Sequence, residues 1–198
     1  PPAPSQGLPG SGSKTQQAKR HPLWQRYTEI ENIRHYSKIL EGSSVVVTEK
    51  IHGCNCSVAM LDGELVVSSH NYNRQPPYKY TERRLNLFQR FLKKINKHWF
   101  APLRSIDEDA KRLDWYWYPT TLDGVIELLE ELAQDHKQVI LYGETFGGKV
   151  QRGMGYGTPD TLQFRAFDLL LDGHYVDHAV FKVYCQMYNI PTVPEIWR

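Results

Sequence analysis

The 198-residue sequence predicts an α+β fold, antiparallel strands with inserted helices, and three observations carry that prediction. β-branched and alternating apolar runs recur, and two of them close on Asp-Gly pairs suited to tight hairpin turns. Two other stretches place apolar residues at helical spacing with charge on the opposite face. The order of these runs is strand-rich, with the helices inserted among the strands.

Taken in order, residues 1–22 are rich in Pro, Gly, Ser and Gln with almost nothing to bury. They are expected to be a flexible tether following an upstream module, with the folded domain spanning 23–198. This stretch has neither an initiator Met nor the apolar core of a signal peptide. Thr28-Glu29-Ile30-Glu31 has capping-box spacing and predicts a short helix toward Leu40. Ser44–Lys50 is β-branched and predicts a strand, and Cys54–Leu61, Asp62-Gly63 and Glu64–Ser69 read as strand, turn and strand. Leu85–His98 carries Leu87, Phe88, Phe91, Leu92 and Ile95 on one helical face, and Leu122–Gln134 is a second amphipathic helix with an acidic face. Val139–Tyr142 and Leu162–Leu171 are expected to be buried strands. Asp172-Gly173 turns into Tyr175-Val176, after which Asp177 caps a helix to about Tyr188. The aromatic run Trp115-Tyr116-Trp117-Tyr118 sits in acidic surroundings and reads as a core or docking cluster.

Hydrophobic content of 40% and charged content of 23% describe an ordinary globular chain, and no apolar run is long enough for a membrane-spanning helix. Cys54, Cys56 and Cys185 form no CxxC pair, so a reduced, intracellular protein without a structural zinc site is expected. His21, His35, His98, His136, His174 and His178 show no ligand spacing either. Net charge is only +2, but its distribution is uneven. Residues 74–104 hold nine Lys/Arg against Glu82, and residues 105–135 hold nine acidic residues against Lys111 and Arg112. Such polarity suits a directional polyanion surface, although two solvated helix faces explain it as well.

The chemistry concentrates in three places. Lys50 closes a β-branched strand and is followed by Ile51-His52-Gly53, and a partly buried lysine there would lose its proton readily enough to act as a nucleophile. Leu141–Gln151 is read as a strand running into a glycine-rich bend, with Glu144 able to hold a sugar hydroxyl or a metal-bound water. Phe167 and Asp168 are adjacent in a strand and are expected on opposite faces.

In that order, Glu49-Lys50-Ile51-His52-Gly53-Cys54-Asn55, then Tyr142-Gly143-Glu144 with Phe146-Gly147, Gln151 and Tyr156-Gly157, then Phe167-Asp168, the sequence resembles the ATP-dependent RNA ligases. The likeness is to the RNA-ligase-2-like branch of the covalent nucleotidyltransferases, with His52 where DNA ligases and capping enzymes carry Asp. It covers about Tyr27 to Pro194. The resemblance implies the ATP-grasp-like nucleotidyltransferase fold and a lysyl-AMP intermediate on Lys50, formed from ATP with Mg2+ or Mn2+. The implied substrate is RNA with 5′-phosphate and 3′-hydroxyl ends, as in a nicked duplex, and no membrane is involved.

By motif position, Glu144 would act at the ribose and the metal's water, and Phe167 would stack on adenine. His52 and Asn55 would serve phosphate transfer, Gln151 the adenylylated end, and Asp168 the pocket or the metal. Glu49, Ile51 and Gly53 would complete the nucleotide pocket.

Two departures stand out. Where the family has an arginine about twenty residues after the nucleophile, this chain reads Ser68-Ser69-His70, leaving the role to His70 or to Arg74. No Glu-Gly-x-x-x-Lys and no Lys-x-Lys follow Asp168 before Arg198, so an incomplete core is expected, inactive by itself. For nucleic acid, Tyr72, Tyr78 and Tyr80 interleave with Arg74, Lys79, Arg83 and Arg84, a composition that stacks on bases and pairs with phosphates. The alternatives are a non-catalytic RNA-binding scaffold with a degenerate nucleotide pocket, a capping-type guanylyltransferase and a DNA ligase.

Overall fold

The hairpin expected from the sequence forms the middle of the molecule. The computed structural model describes residues 16–36, 38, 41, 44–81, 103–147, 150–151, 156–157 and 161–197. The helix expected over Leu85–His98, together with Arg83 and Arg84, lies outside the described residues. In chain order the strands are β1 (Val47–Thr48), β2 (Cys54–Leu61), β3 (Glu64–Ser69), β4 (Asn73–Arg74), β5 (Tyr78–Thr81), β6 (Leu103–Ile106), β7 (Gln138–Gly147), β8 (Leu162–Leu171), β9 (His174–Tyr175) and β10 (Glu195–Trp197). The α-helices are α1 (Glu108–Leu113), α2 (Asp123–Leu132) and α3 (His178–Met187).

The β2–β3 turn has Asp62 at φ 47° and Gly63 at φ 78°. Two consecutive left-handed residues match the right-handed twist of the flanking strands, which is why an Asp-Gly pair closes this hairpin. Asp172 and Gly173 repeat the arrangement at φ 45° and 86° between β8 and β9. The main sheet has the order β4-β3-β2-β7-β8-β9, every neighbour antiparallel.

Strand alternation gives this sheet two faces. Cys56, Val58, Val139, Leu141, Ala166 and Leu169 point to one face, where Val125, Leu128 and Leu129 of α2 and Phe181 and Cys185 of α3 cover them. Trp117 belongs to this core, as expected of the aromatic run. Ala59, Leu61, Val66, Ile140, Tyr142 and Leu170 point to the other face, where among the described residues Leu23, Trp24 and Tyr27 pack and no helix does.

Several expectations differ from the structure. Of the stretch read as a tether, residues 16–22 are described, and they run along β4. Ala18 N–H donates to the Asn73 carbonyl and Gln75 N–H to that of Gln16. Their order comes from the open edge of β4, which offers backbone partners that composition cannot reveal. No helix starts at Thr28, whose N–H donates instead to the Tyr175 hydroxyl. The 3-10 turn Ile33–His35 lies there instead, capped by the Asn32 side chain. The Ser44–Lys50 run pairs only at Val47–Thr48, with β10. β7 is longer than expected, and Gly143 and Glu144 lie within it rather than in a bend. The helix capped by Asp177 is found as expected, its carboxylate accepting from Ala179 N–H.

Trp24 is only 4% exposed and its indole N–H reaches the Ser57 hydroxyl, so it is the fully buried member of the segment that covers this face. Trp24→Ala is expected to cost about 3–5 kcal/mol, measured as a lowered urea midpoint.

Candidate active site

The site is built around the loop that carries Lys50. Ile51 is buried against Phe146 and Val193, which anchors the loop on one side of the lysine. On the other side, Glu49 N–H donates to the Pro194 carbonyl at 2.9 Å. Three further groups hold the next two residues: His52 N–H donates to the Tyr156 hydroxyl at 2.7 Å, Gly53 N–H to Glu144 Oε1 at 3.0 Å, and Gln151 Nε2 to the Gly53 carbonyl at 2.9 Å. Gly53 is required here because a Cβ would stand 2.3 Å from the Thr145 carbonyl oxygen, a backbone atom of β7 that cannot move aside. Lys50 itself is exposed, so the partial burial invoked to favour its neutral amine is absent.

Glu144 faces this loop from β7, directly across from Asn55 in β2. Burial pushes its carboxyl up from 4.5 to about 7, against the lowering effects of the Gly53 N–H and the Lys50 charge. Desolvation thus outweighs both partners, and the acid titrates near neutrality.

Phe167 and Asp168 stand on the same face, not on opposite ones. The β7–β8 register shifts between Tyr142 and Gly143: Tyr142 pairs with Asp168 and Gly143 with Ala166, so Phe167 is the extra residue of a bulge. Ala166 and Leu169 both enter the helix-side core, and the two residues between them turn the other way. There Tyr27 meets both. Its ring lies edge-on to Phe167 at 4.9 Å and its hydroxyl donates to Asp168 Oδ2 at 3.0 Å. Asp168 Oδ1 accepts from Leu169 N–H, so both carboxylate oxygens have partners within the fold. The geometry therefore favours the pocket-supporting role over the metal role for Asp168. Burial raises the carboxyl of Asp168 and the hydroxyl of Tyr27 above their ordinary values. Phe167 also lines a cavity of about 580 Å3 with Ser44, Val46 and Thr48, the alternate residues leading up to Lys50, and with the first turn of α3.

Arg74 does not reach back to the loop. Through its pairing with Val67, a helix-side core residue, it projects to the helix side, where its guanidinium lies 4.4 Å from the Tyr116 ring centre. The Tyr116 hydroxyl hydrogen-bonds both Arg74 and Cys54. His70 is half-buried at the end of β3, one residue beyond the Cys56↔Ser69 pair, so continued register points it toward Asn55. Tyr72, between β3 and β4, and Lys79, in β5 of the separate β5–β6 pair, are both exposed.

Sequence reasoning missed the segment Pro191–Pro194. Ala166 N–H donates to the Pro191 carbonyl and Val193 N–H to that of Ala166, while Pro194 holds Glu49. It missed the contribution of Tyr27 as well. Backbone hydrogen bonds leave no compositional mark, and a lone Tyr in a polar segment carries no signal of its partner.

A family model described as RNA ligase matches residues 43–198. A search of curated proteins finds no match. Among solved structures, Naegleria gruberi RNA ligase with pyrophosphate is similar at TM-score 0.63 and 16% identity, over 98% of this chain and 48% of that one. Mutants of the same ligase with ATP and Mn and with AMP and Mn give TM-scores of 0.60 and 0.61 at 15% identity, each over 94% of this chain and 46% of the other. The likeness is one of fold, and the chain spans about half the length of these structures.

The Glu144 shift predicts a pH-dependent stability. Between 4.5 and about 7 the folded state binds more protons than the unfolded, so stability falls as pH rises through that window and stays lower above it. Glu144→Gln keeps an acceptor for Gly53 N–H but removes the charge. In ligand-free protein it is expected to be about 1–3 kcal/mol more stable than wild type at pH 8.5 and equal at pH 4, after discounting for partial solvent contact. Thermal melts at the two pH values measure this.

Proposed function

The chain belongs to the RNA ligase family, and on that premise we propose that it is an ATP-dependent ligase joining 3′-hydroxyl and 5′-phosphate RNA ends through AMP carried on Lys50. The observation that carries this reading is the Lys50 loop, whose backbone is held on both sides while the amine is left open to solvent. A nucleophile needs such positioning together with access.

In the proposed first step the Lys50 nitrogen attacks the α-phosphorus of ATP. A P–N bond forms, the bond to the bridging oxygen breaks, and pyrophosphate leaves with the electron pair. The amine must first give up a proton. AMP then passes to an RNA 5′-phosphate, and the 3′-hydroxyl displaces it.

The 580 Å3 cavity at Phe167 is of a size that accepts a nucleoside, with the base against the ring. Asn55 and Glu144, paired across β2 and β7, would face the ribose and phosphates. Among the described residues no three His, Cys, Asp or Glu side chains gather as a ready metal cage. The donor set therefore fits Mg2+ or Mn2+ brought in on nucleotide phosphates and completed by Glu144, as is usual for magnesium. When bound, the cation would neutralise the phosphate charge. The covalent nucleotidyltransferase fold is part of this same proposal.

Incubation with α-labelled ATP and, separately, GTP tests it. An acid-labile adduct from ATP supports the ligase, one from GTP a capping enzyme, and none a non-catalytic module. Lys50→Ala is expected to abolish the adduct while shifting stability by less than about 0.5 kcal/mol, since the side chain is exposed. Phe167→Ala is expected to weaken ATP binding by about 1–3 kcal/mol in calorimetry, the cost of losing one base-stacking ring.

A further inference from the structure

A second cavity, of about 470 Å3, opens at the far edge of the sheet, between the N-terminal arm and β3–β4. Lys19, Arg20 and Arg74 line it against the single carboxylate of Glu64, with Tyr78 and Trp117 among its aromatic walls. Lys19 and Arg20 are exposed, and their backbone is held in place beside β4 through Gln16, Ala18 and His21. The Trp117 indole N–H is buried with no hydrogen-bond partner among the described residues, a donor left over at this wall. None of these cations takes part in the Lys50 loop, and Lys19 and Arg20 precede the segment that the family model matches.

We propose that this cavity binds the backbone phosphates of the substrate RNA strand, with Lys19 and Arg20 as the phosphate contacts. Cations that outnumber carboxylates beside a partly exposed ring form a combination that holds nucleic acid: the charges take the phosphates and the Tyr78 ring is available to a base, Trp117 being buried. Position supports the assignment. β3 runs from Ser69, beside Cys56 at the active-site end, to Leu65 at the cavity. At about 3.3 Å per residue these four steps span roughly 13 Å, about four nucleotides of a helical strand. β3 thus spans the distance from the reacting end to the phosphate anchor.

This inference rests on the ligase reading, and the experiment separates the two. Fluorescence anisotropy with a labelled nicked RNA duplex compares the 198-residue chain with Lys19→Ala/Arg20→Ala. Because Arg20 also lies over the Trp24 ring, Lys19→Glu serves as a second variant that leaves that contact intact. The double variant is expected to bind RNA at least tenfold more weakly at low salt, with the slope of log affinity against log salt reduced by about 1–2. Lys19→Glu should weaken binding several-fold and melt as wild type does. Unaltered RNA affinity and salt slope in both variants would overturn the proposal. So would polyglutamate displacing RNA at equal charge concentration, since the aromatic walls would then contribute nothing. Weakened RNA binding in both variants supports the cavity whether or not the chain forms an ATP adduct, so the cavity and the ligase reading are decided by separate measurements.

Discussion

The hydrogen bond from Gly53 N–H to the Glu144 carboxylate is the contact on which the rest of the site depends. It joins the loop carrying Lys50 to the central strand of the sheet, and it forms only because residue 53 lacks a Cβ and lies against the Thr145 carbonyl. Its partner carboxylate is in turn fixed by β7, which pairs along its length with β2 and β8. Loop position is therefore inherited from sheet register rather than from the loop's own residues. A one-residue slip of β7 would turn Glu144 into the helix-side core.

The arrangement leaves a charge in conflict with its surroundings. Glu144 is desolvated enough to be raised to about 7, and neither the Gly53 N–H nor the Lys50 ammonium restores its ordinary acidity. In the folded chain such a group costs stability, and an acid raised toward neutral pH is suited to proton or cation chemistry. Among the described residues the helices cover the opposite face, and the segment 23–27 packs on this one.

Phe167 is positioned by a different device. An extra residue in β8 rotates Phe167 and Asp168 onto one face, and Tyr27 and the Pro191–Pro194 segment then hold the distorted strand from two sides. That segment also holds Glu49, so one short stretch of backbone couples the Lys50 loop to the aromatic wall of the cavity. Both the base-facing and the phosphate-facing parts of the proposed pocket thus share one support.

The sequence alone determined what local physics determines. Asp62-Gly63 and Asp172-Gly173 had to be turns because each offers residues that tolerate left-handed backbone, and Asp177 had to cap a helix because its carboxylate reaches the first free N–H groups. Motif order brought Lys50, Glu144, Gln151 and Tyr156 under suspicion together, and the fold joins all four around one loop. Tertiary structure decided the remainder. Phe167 and Asp168 share a face because pairing with β7 places a bulge that alternation does not contain. Arg74 is turned away because β4 pairs with the helix-side register of β3. Residues 16–22, too polar to order themselves, lie along β4 because a strand edge offers them hydrogen bonds. Each outcome depends on contacts between residues far apart in the chain, and periodicity over a short window carries no record of which distant partner is present.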